Sequence, residues 1–155
     1  MRVEKDFEEF LKLLNKHKVR YLIIGSFAVA FYARARYTKD LDIFIAPSIE
    51  NGKKIIKALI EFGFKTLHLT EKDFTKRGNI IQLGYEPVRI DIMNSLEGVI
   101  FSDGWERKRI GEYGKERVFF IGLKDLIQIK KRSKRKIDKV DLDLLLKAHR
   151  KRNLR

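Results

Sequence analysis

The chain has 155 residues, 44% of them hydrophobic and 36% charged, and no cysteine. That length supports a core without covalent staples and leads us to expect one compact body, not a catalytic unit joined to a large separate substrate domain, while the lack of thiols excludes a disulfide framework, a thiolate metal site and a cysteine nucleophile within these residues. Lys and Arg number 35 against 21 acidic residues, and the net charge of +14 favours phosphate-bearing or otherwise acidic partners.

In chain order, EKDFEEFLKLLNKHK places Phe7, Phe10, Leu11, Leu13 and Leu14 at helical spacing, which predicts an amphipathic helix. VRYLIIG reads as a buried strand, and SFAVAFYARA as a short helix with Ser26 as its N-cap. Asp40 to Ala46 is a second strand stopped by Pro47, and Ser48 caps a helix over SIENGKKIIKALIEFG that ends at Gly63. FKTLHLT, NIIQLGY and VRIDIM read as three further strands, the last two joined as a hairpin across Glu86 and Pro87. ERKRIGEYGKERVFFIG predicts a small exposed hairpin turning near Gly114, and LKDLIQIKKR and KIDKVDLDLLLKAHR predict two closing helices. The expected fold class is α+β (α/β): a mixed β-sheet flanked by helices, with a C-terminal helical tail, in a single domain over residues 1–155. No apolar run approaches the ~20 residues of a membrane span, and MRVEKDFEEF does not read as a signal peptide, so a cytoplasmic location and no membrane partner are expected.

The charge is unevenly spread. From Phe101 onward there are 18 Lys or Arg and 8 Asp or Glu, and KKRSKRK at Lys130 to Lys136 supplies six of those cations. This is either a solvated helix face in a charge-rich protein or a contact for a polyanion.

The stretch LIIGSFAVAFYARARYTKDLDIFI carries two aspartates in a strand that otherwise buries hydrocarbon. Strand side chains alternate faces, so Asp40 and Asp42 project to one side while Leu41 and Ile43 enter the core. Two carboxylates about 5 Å apart at an effective dielectric of ~20 repel by roughly 3 kcal/mol, which requires a compensating cation. A salt bridge to Arg34, Arg36 or Lys39 would supply it, and so would a divalent metal with hard oxygen ligands. In VRIDIM, Asp91 alternates with Ile90 and Ile92 and again stands off a buried strand. Three acids from two strands suit metal ions that stabilise the attacking and leaving oxygens at a phosphorus centre. Gly25 and Ser26 add a tight strand-to-helix turn whose free N–H groups favour phosphate oxygens.

These residues, IGSFAVAFYARARYTKDLDIFI followed by VRIDIM, resemble the signature of the DNA polymerase beta-like nucleotidyltransferase superfamily: Gly-Ser, about ten residues, Asp-x-Asp between apolar residues, then a lone Asp on a later strand. The tail GLKDLIQIKKRSKRKIDKVDLDLLL is similar to the closing helices of small prokaryotic nucleotidyltransferases related to the toxin of type IV abortive-infection systems. There Asp-Leu is followed by a Lys five residues on and by a basic segment leading into Asp-x-x-Asp-Leu, matched here by Asp125, Lys130, Asp138 and Asp141.

The resemblance implies a nucleotidyltransferase fold with a catalytic core over about 19–93 and a basic helical tail over about 122–150. It implies metal-dependent attack of a hydroxyl on the α-phosphorus of a nucleoside triphosphate (NTP) such as ATP, with pyrophosphate leaving. In that scheme Asp40, Asp42 and Asp91 hold Mg2+ or Mn2+, Asp91 also receives the hydroxyl proton directly or by orienting a metal-bound nucleophile, Gly25 and Ser26 hold the triphosphate, and Lys130 either reaches the phosphates or neutralises charge developing on the leaving group. The acceptor would be the end of a tRNA or other RNA, a protein or a small molecule, and an antitoxin protein would be the partner of a toxin-like enzyme. Asp138 and Asp141 fit helix salt bridges to Lys134 or Lys136 equally well. The alternative is a non-catalytic nucleic-acid-binding module using the basic tail, but such a binder has no need of three converging acids. His17, His68 and His149 lack ligand-like spacing, and no Gly-Lys-Ser/Thr phosphate loop is present.

Overall fold

The computed structural model describes residues 3–35, 40–65, 68–85 and 88–153. The elements run α1 (Lys5–Lys16), β1 (Tyr21–Ile24), α2 (Gly25–Tyr32), β2 (Asp40–Ile45), α3 (Ile49–Phe62), β3 (Ile80–Tyr85), β4 (Val88–Met93), α4 (Phe101–Glu106), β5 (Arg109–Tyr113), β6 (Glu116–Phe120), α5 (Leu123–Arg132) and α6 (Lys136–Asn153). The strands form one sheet in the order β3-β4-β2-β1-β6-β5. It is mixed: β1 runs antiparallel to β2 and parallel to β6, and β2 runs parallel to β4. The fold is a mixed α/β one, as the sequence pattern implies.

Each element follows from local chemistry. The five apolar residues of α1 are all buried, so its stripe closes the sheet. Central β1 is buried at every position, as a strand covered on both faces must be. Ser48 accepts a hydrogen bond from the Asn51 N–H at the start of α3, and Gly63 ends that helix at φ +112°. Gly52, an unfavourable residue within a helix, permits a close approach: a Cβ there would stand 2.9 Å from the Glu71 carbonyl oxygen. One hydrophobic cluster gathers these faces and extends from Phe7 to Leu145.

The structure departs from the sequence pattern at several places. Ile24, not Ser26, occupies the N-cap position of α2, so Ser26 is the second residue of the helix. No strand forms among the described residues of FKTLHLT; His68 has φ +51°, which breaks extended backbone, and Thr70 with Asp73 caps a 3-10 turn over Glu71–Phe74. The hairpin around Gly114 is no exposed appendage, since β6 pairs with β1 and buries Val118 and Phe120. Its strands therefore extend the main sheet. Helix α4 fills a stretch with no evident periodicity, anchored by Phe101 against Phe44. The turn at Glu86 and Pro87 lies outside the described residues, while the strands that flank it pair antiparallel as a hairpin requires. Among the described residues no helix is long and apolar enough to cross a membrane.

Candidate active site

Parallel pairing of β2 with β4 sets Asp42 opposite Asp91 and Asp40 opposite Arg89. Alternation within each strand places all four on one face, with Leu41 and Ile43 fully buried on the other. The result is a cross-strand square of three carboxylates and one guanidinium. Antiparallel pairing with β1 adds Ile24 opposite Asp42, so the turn at Gly25 arrives beside the acids. Gly25 has φ +67°, and a Cβ built on it would collide with Asp42 Oδ2. Only glycine allows the backbone this close.

Arg89 Nη2 lies 3.2 Å from Asp40 and 3.1 Å from Asp91, donating a hydrogen bond to Asp91 Oδ2. Among the described residues this guanidinium bridges two of the three carboxyl groups. Burial, then the negative charges of Asp91 and Asp40 and a hydrogen-bonding contact with Asp91, push the Asp42 carboxyl up to about 7, with Arg89 acting in the opposite direction. Asp91 is 8% exposed, and its Oδ1 is buried without a hydrogen-bond donor. A proton shared with Asp42 would relieve both groups, and a cation would do so more completely.

This donor set fits a divalent metal of the hard, oxygen-preferring kind. It is all carboxylate, holds a buried oxygen without a donor, and contains an acid that resists ionising without added positive charge. Among the described residues no group of three or more carboxylate or imidazole side chains is arranged to hold a metal ion, so a metal at the acids would need substrate oxygens to complete its shell, as Mg2+ commonly does.

The compensating cation among the described residues is Arg89, not Arg34; Arg36 and Lys39 lie outside those residues. Its signal was present in VRIDIM, because Arg89 sits two residues before Asp91 and shares its strand face.

Lys130 is placed differently from a solvent-facing phosphate contact. It is buried between α5 and α6, with Nζ 2.7 Å from Asp138 Oδ1 and 3.2 Å from Asp141 Oδ2. Asp138 also accepts hydrogen bonds from Arg135 Nε at 2.7 Å, from Arg135 Nη2 at 3.1 Å and from the Ser133 hydroxyl. Burial would raise the Asp138 carboxyl, but the bonds from Arg135, Lys130 and Ser133 together outweigh it and hold the group well below the usual carboxylate range. Asp138 and Asp141 are thus engaged by Lys130, and Asp138 also by Arg135, in place of the bridges to Lys134 or Lys136 that helical spacing suggested. Asp125 is held separately, by a two-pronged hydrogen bond from Arg107 with both distances at 2.9 Å. The charge of Asp42 is among the lesser influences that raise the Arg135 guanidinium, after its bonds to Asp138.

Residues 3–155 match the model of a family described as nucleotidyl transferase of unknown function (DUF2204). The solved structures that resemble the chain include the lincosamide antibiotic adenylyltransferase LnuA in its lincomycin-bound form, with a TM-score of 0.61 and 19% identity over 92% of this chain and 95% of that one. Another is a proposed nucleotidyltransferase, TM1012 from Thermotoga maritima, with a TM-score of 0.57 and 18% identity over 96% of this chain and 89% of that one. At such identities the likeness is one of fold. No curated protein matches the chain in sequence.

Proposed function

We propose, from the premise that this chain belongs to that nucleotidyl transferase family, that it transfers a nucleoside monophosphate from an NTP to a hydroxyl acceptor, acting as a single domain over residues 1–155. The observation that carries the reading is the register of Asp42 with Asp91 beside Gly25. Two acids held in contact at the end of a glycine turn, with a raised carboxyl pKa and a buried oxygen lacking a donor, are poor structural choices unless a charged substrate complex occupies the site.

In the proposed reaction the acceptor oxygen attacks the α-phosphorus, a new P–O bond forms, the bond between the α-phosphorus and its bridging oxygen to the β-phosphate breaks, and pyrophosphate departs. The hydroxyl proton passes to Asp91, the more buried acid of the facing pair. Asp40, Asp42 and Asp91 would hold Mg2+ or Mn2+, which supplies charge neutralisation of the triphosphate and activation of the attacking hydroxyl. Gly25 and Ser26 present the N–H groups at the start of α2 to phosphate oxygens. Lys130 contributes by fixing α5 against α6, the arrangement in which it is found.

The finer reading, a small prokaryotic nucleotidyltransferase of the toxin kind silenced by an antitoxin protein, rests on the tail pattern of Asp125, Lys130, Asp138 and Asp141. It predicts that the intact gene is poorly tolerated by a host and that Asp42→Asn restores growth; harmless overexpression of the active protein counts against it.

The test of the main reading is incubation with each α-labelled NTP, Mg2+, and total cellular RNA, protein and small metabolites. Label should pass to an acceptor and disappear with Asp42→Asn or with chelation. Transfer that survives Asp42→Asn, or label that never leaves the triphosphate with any acceptor, removes the proposal.

A further inference from the structure

The basic C-terminal third has a role that the acid square leaves unassigned. Two concavities adjoin along the seam between α2 and α6 and share Tyr32 and Arg152 as a common wall. The larger, about 440 Å³, is lined by Arg34, Lys147, Lys151 and Arg152 and, among the described residues, by no acidic one. The smaller, about 250 Å³, adds Arg107, Arg109, Lys124 and His149, and its one acid, Asp125, is already held by Arg107. From Leu144 to its end α6 carries Lys and Arg but no Asp or Glu. The cations therefore line a track instead of gathering at a point.

We infer that this double cleft binds the phosphate backbone of a nucleic-acid strand and thereby presents that strand as the hydroxyl acceptor. The inference rests on the nucleotidyl-transfer reading only for the acceptor role; the binding surface stands on its own geometry. A strand with a phosphate at each nucleotide suits cations distributed over two joined hollows, whereas a single NTP concentrates its charge in one place. A membrane surface fits poorly, because the cleft is concave and exposed apolar residues such as Ile80, Tyr85 and Ile100 are not among its lining. Recognition should be of backbone and not of bases. The ring of Tyr32 is covered by the Arg152 guanidinium at 5.0 Å, and its hydroxyl donates a 2.6 Å hydrogen bond to the Ile121 carbonyl, so it is no open stacking platform.

The placement also suits delivery to the acids. Tyr32 closes α2 and Gly25 opens it, so the cleft begins about 10 Å from the glycine turn at ~1.5 Å per helical residue.

The experiment uses the full chain and a short fluorescent oligoribonucleotide, with anisotropy followed between about 50 and 200 mM salt. Binding should weaken steeply with salt and be indifferent to base sequence. Lys147→Ala with Lys151→Ala, both exposed positions, should weaken binding about tenfold and flatten the log–log salt slope by about 0.7 for each phosphate no longer neutralised. Lys5→Ala with Lys12→Ala on α1 should change neither. Wild-type affinity and slope in the Lys147, Lys151 variant overturn the cleft, as does binding of anionic phosphatidylserine vesicles or poly-glutamate in place of RNA. Asp42→Asn separates the two readings, because it should retain RNA binding while losing transfer. If RNA binds through the cleft but no label reaches any acceptor, the cleft stands and the enzymatic reading fails; if label transfers while the cleft variant binds RNA normally, the reverse holds.

Discussion

Asp42 and Asp91 face each other across two parallel strands, nearly fifty residues apart in sequence, and Arg89 beside them is the cation among the described residues that moderates their repulsion. Burial first, and then the charges of Asp91 and Asp40, push the Asp42 carboxyl up to about 7, far above an ordinary carboxylic acid. Its folded value is raised, so the stability it contributes is fully present below the unfolded carboxylate value near 4 and is lost as pH rises through about 7. Metal-free protein should therefore lose stability on the order of 1–4 kcal/mol between those limits. Thermal melts across that range check it, and Asp42→Asn should flatten the profile. Added Mg2+ should raise the melting temperature more at pH 8 than at pH 5, since above the titration it replaces a proton already gone.

Gly25→Ala is expected to be more damaging than its size suggests. The new methyl would overlap Asp42 Oδ2, and an L-residue at φ +67° adds strain of its own. Nucleotidyl transfer should fall by at least about a hundredfold, on the scale of a misplaced reacting group. Equal activity in a Gly25→Ala protein would mean that the turn does not set the position of Asp42.

Arg89→Met removes the guanidinium bridging Asp40 and Asp91. The Asp42 carboxyl should then titrate above its present value, because Arg89 is the influence that lowers it. Titration followed by carboxyl carbon chemical shifts reads this directly. The melting temperature of the metal-free variant should fall, and divalent cation should restore a larger part of it than in the wild type.

Lys130→Met should destabilise the helical tail strongly. It takes the ammonium away from two buried carboxylates, Asp141 and Asp138, the latter keeping its bonds from Arg135 and Ser133, and breaking a buried ion pair costs about 3–5 kcal/mol. Asp141→Asn added to Lys130→Met should recover part of the loss. A transfer assay with α-labelled NTP on the stable double variant then separates structure from chemistry: if Lys130 touched the phosphates, the KM for NTP would remain high after stability is restored.

The same knot has an acid limit of opposite sign to that of Asp42. Asp138 is held below its ordinary range, so its contribution is present above the unfolded carboxylate value and is lost as pH falls beneath it toward the depressed folded value. Denaturation in acid should accordingly begin below about pH 4 with loss of helical signal from the tail. Asp138→Asn should remove that part of the transition, which circular dichroism can follow.

Much of the fold was legible in the sequence because the signals are local. The 3.6-residue stripe of α1, the cap and stop at Ser48 and Gly63, and the alternation in DLDIFI and VRIDIM are each set by residues adjacent in the chain. Local signals also misled. FKTLHLT alternates like a strand, yet His68 turns the backbone and the Thr70 cap draws the chain into a 3-10 turn. The hairpin at Gly114 looked exposed because the polar residues of β5 and β6 conceal Tyr113, Val118 and Phe120, whose burial depends on β6 finding β1 nearly a hundred residues earlier.

What the sequence by itself determined is that Asp40, Asp42 and Asp91 stand off their strands opposite core residues and that a Gly-Ser turn follows the first strand, since alternation and turn chemistry belong to neighbouring residues. Only the tertiary structure decided that Asp42 meets Asp91, that Arg89 serves two of the acids, that Lys130 is enclosed by Asp138 and Asp141, and that the cations of α6 close a cleft against Tyr32. Coulomb interaction depends on distance through space and on the water removed between charges, and both are fixed by strand order and helix packing, which no local periodicity encodes.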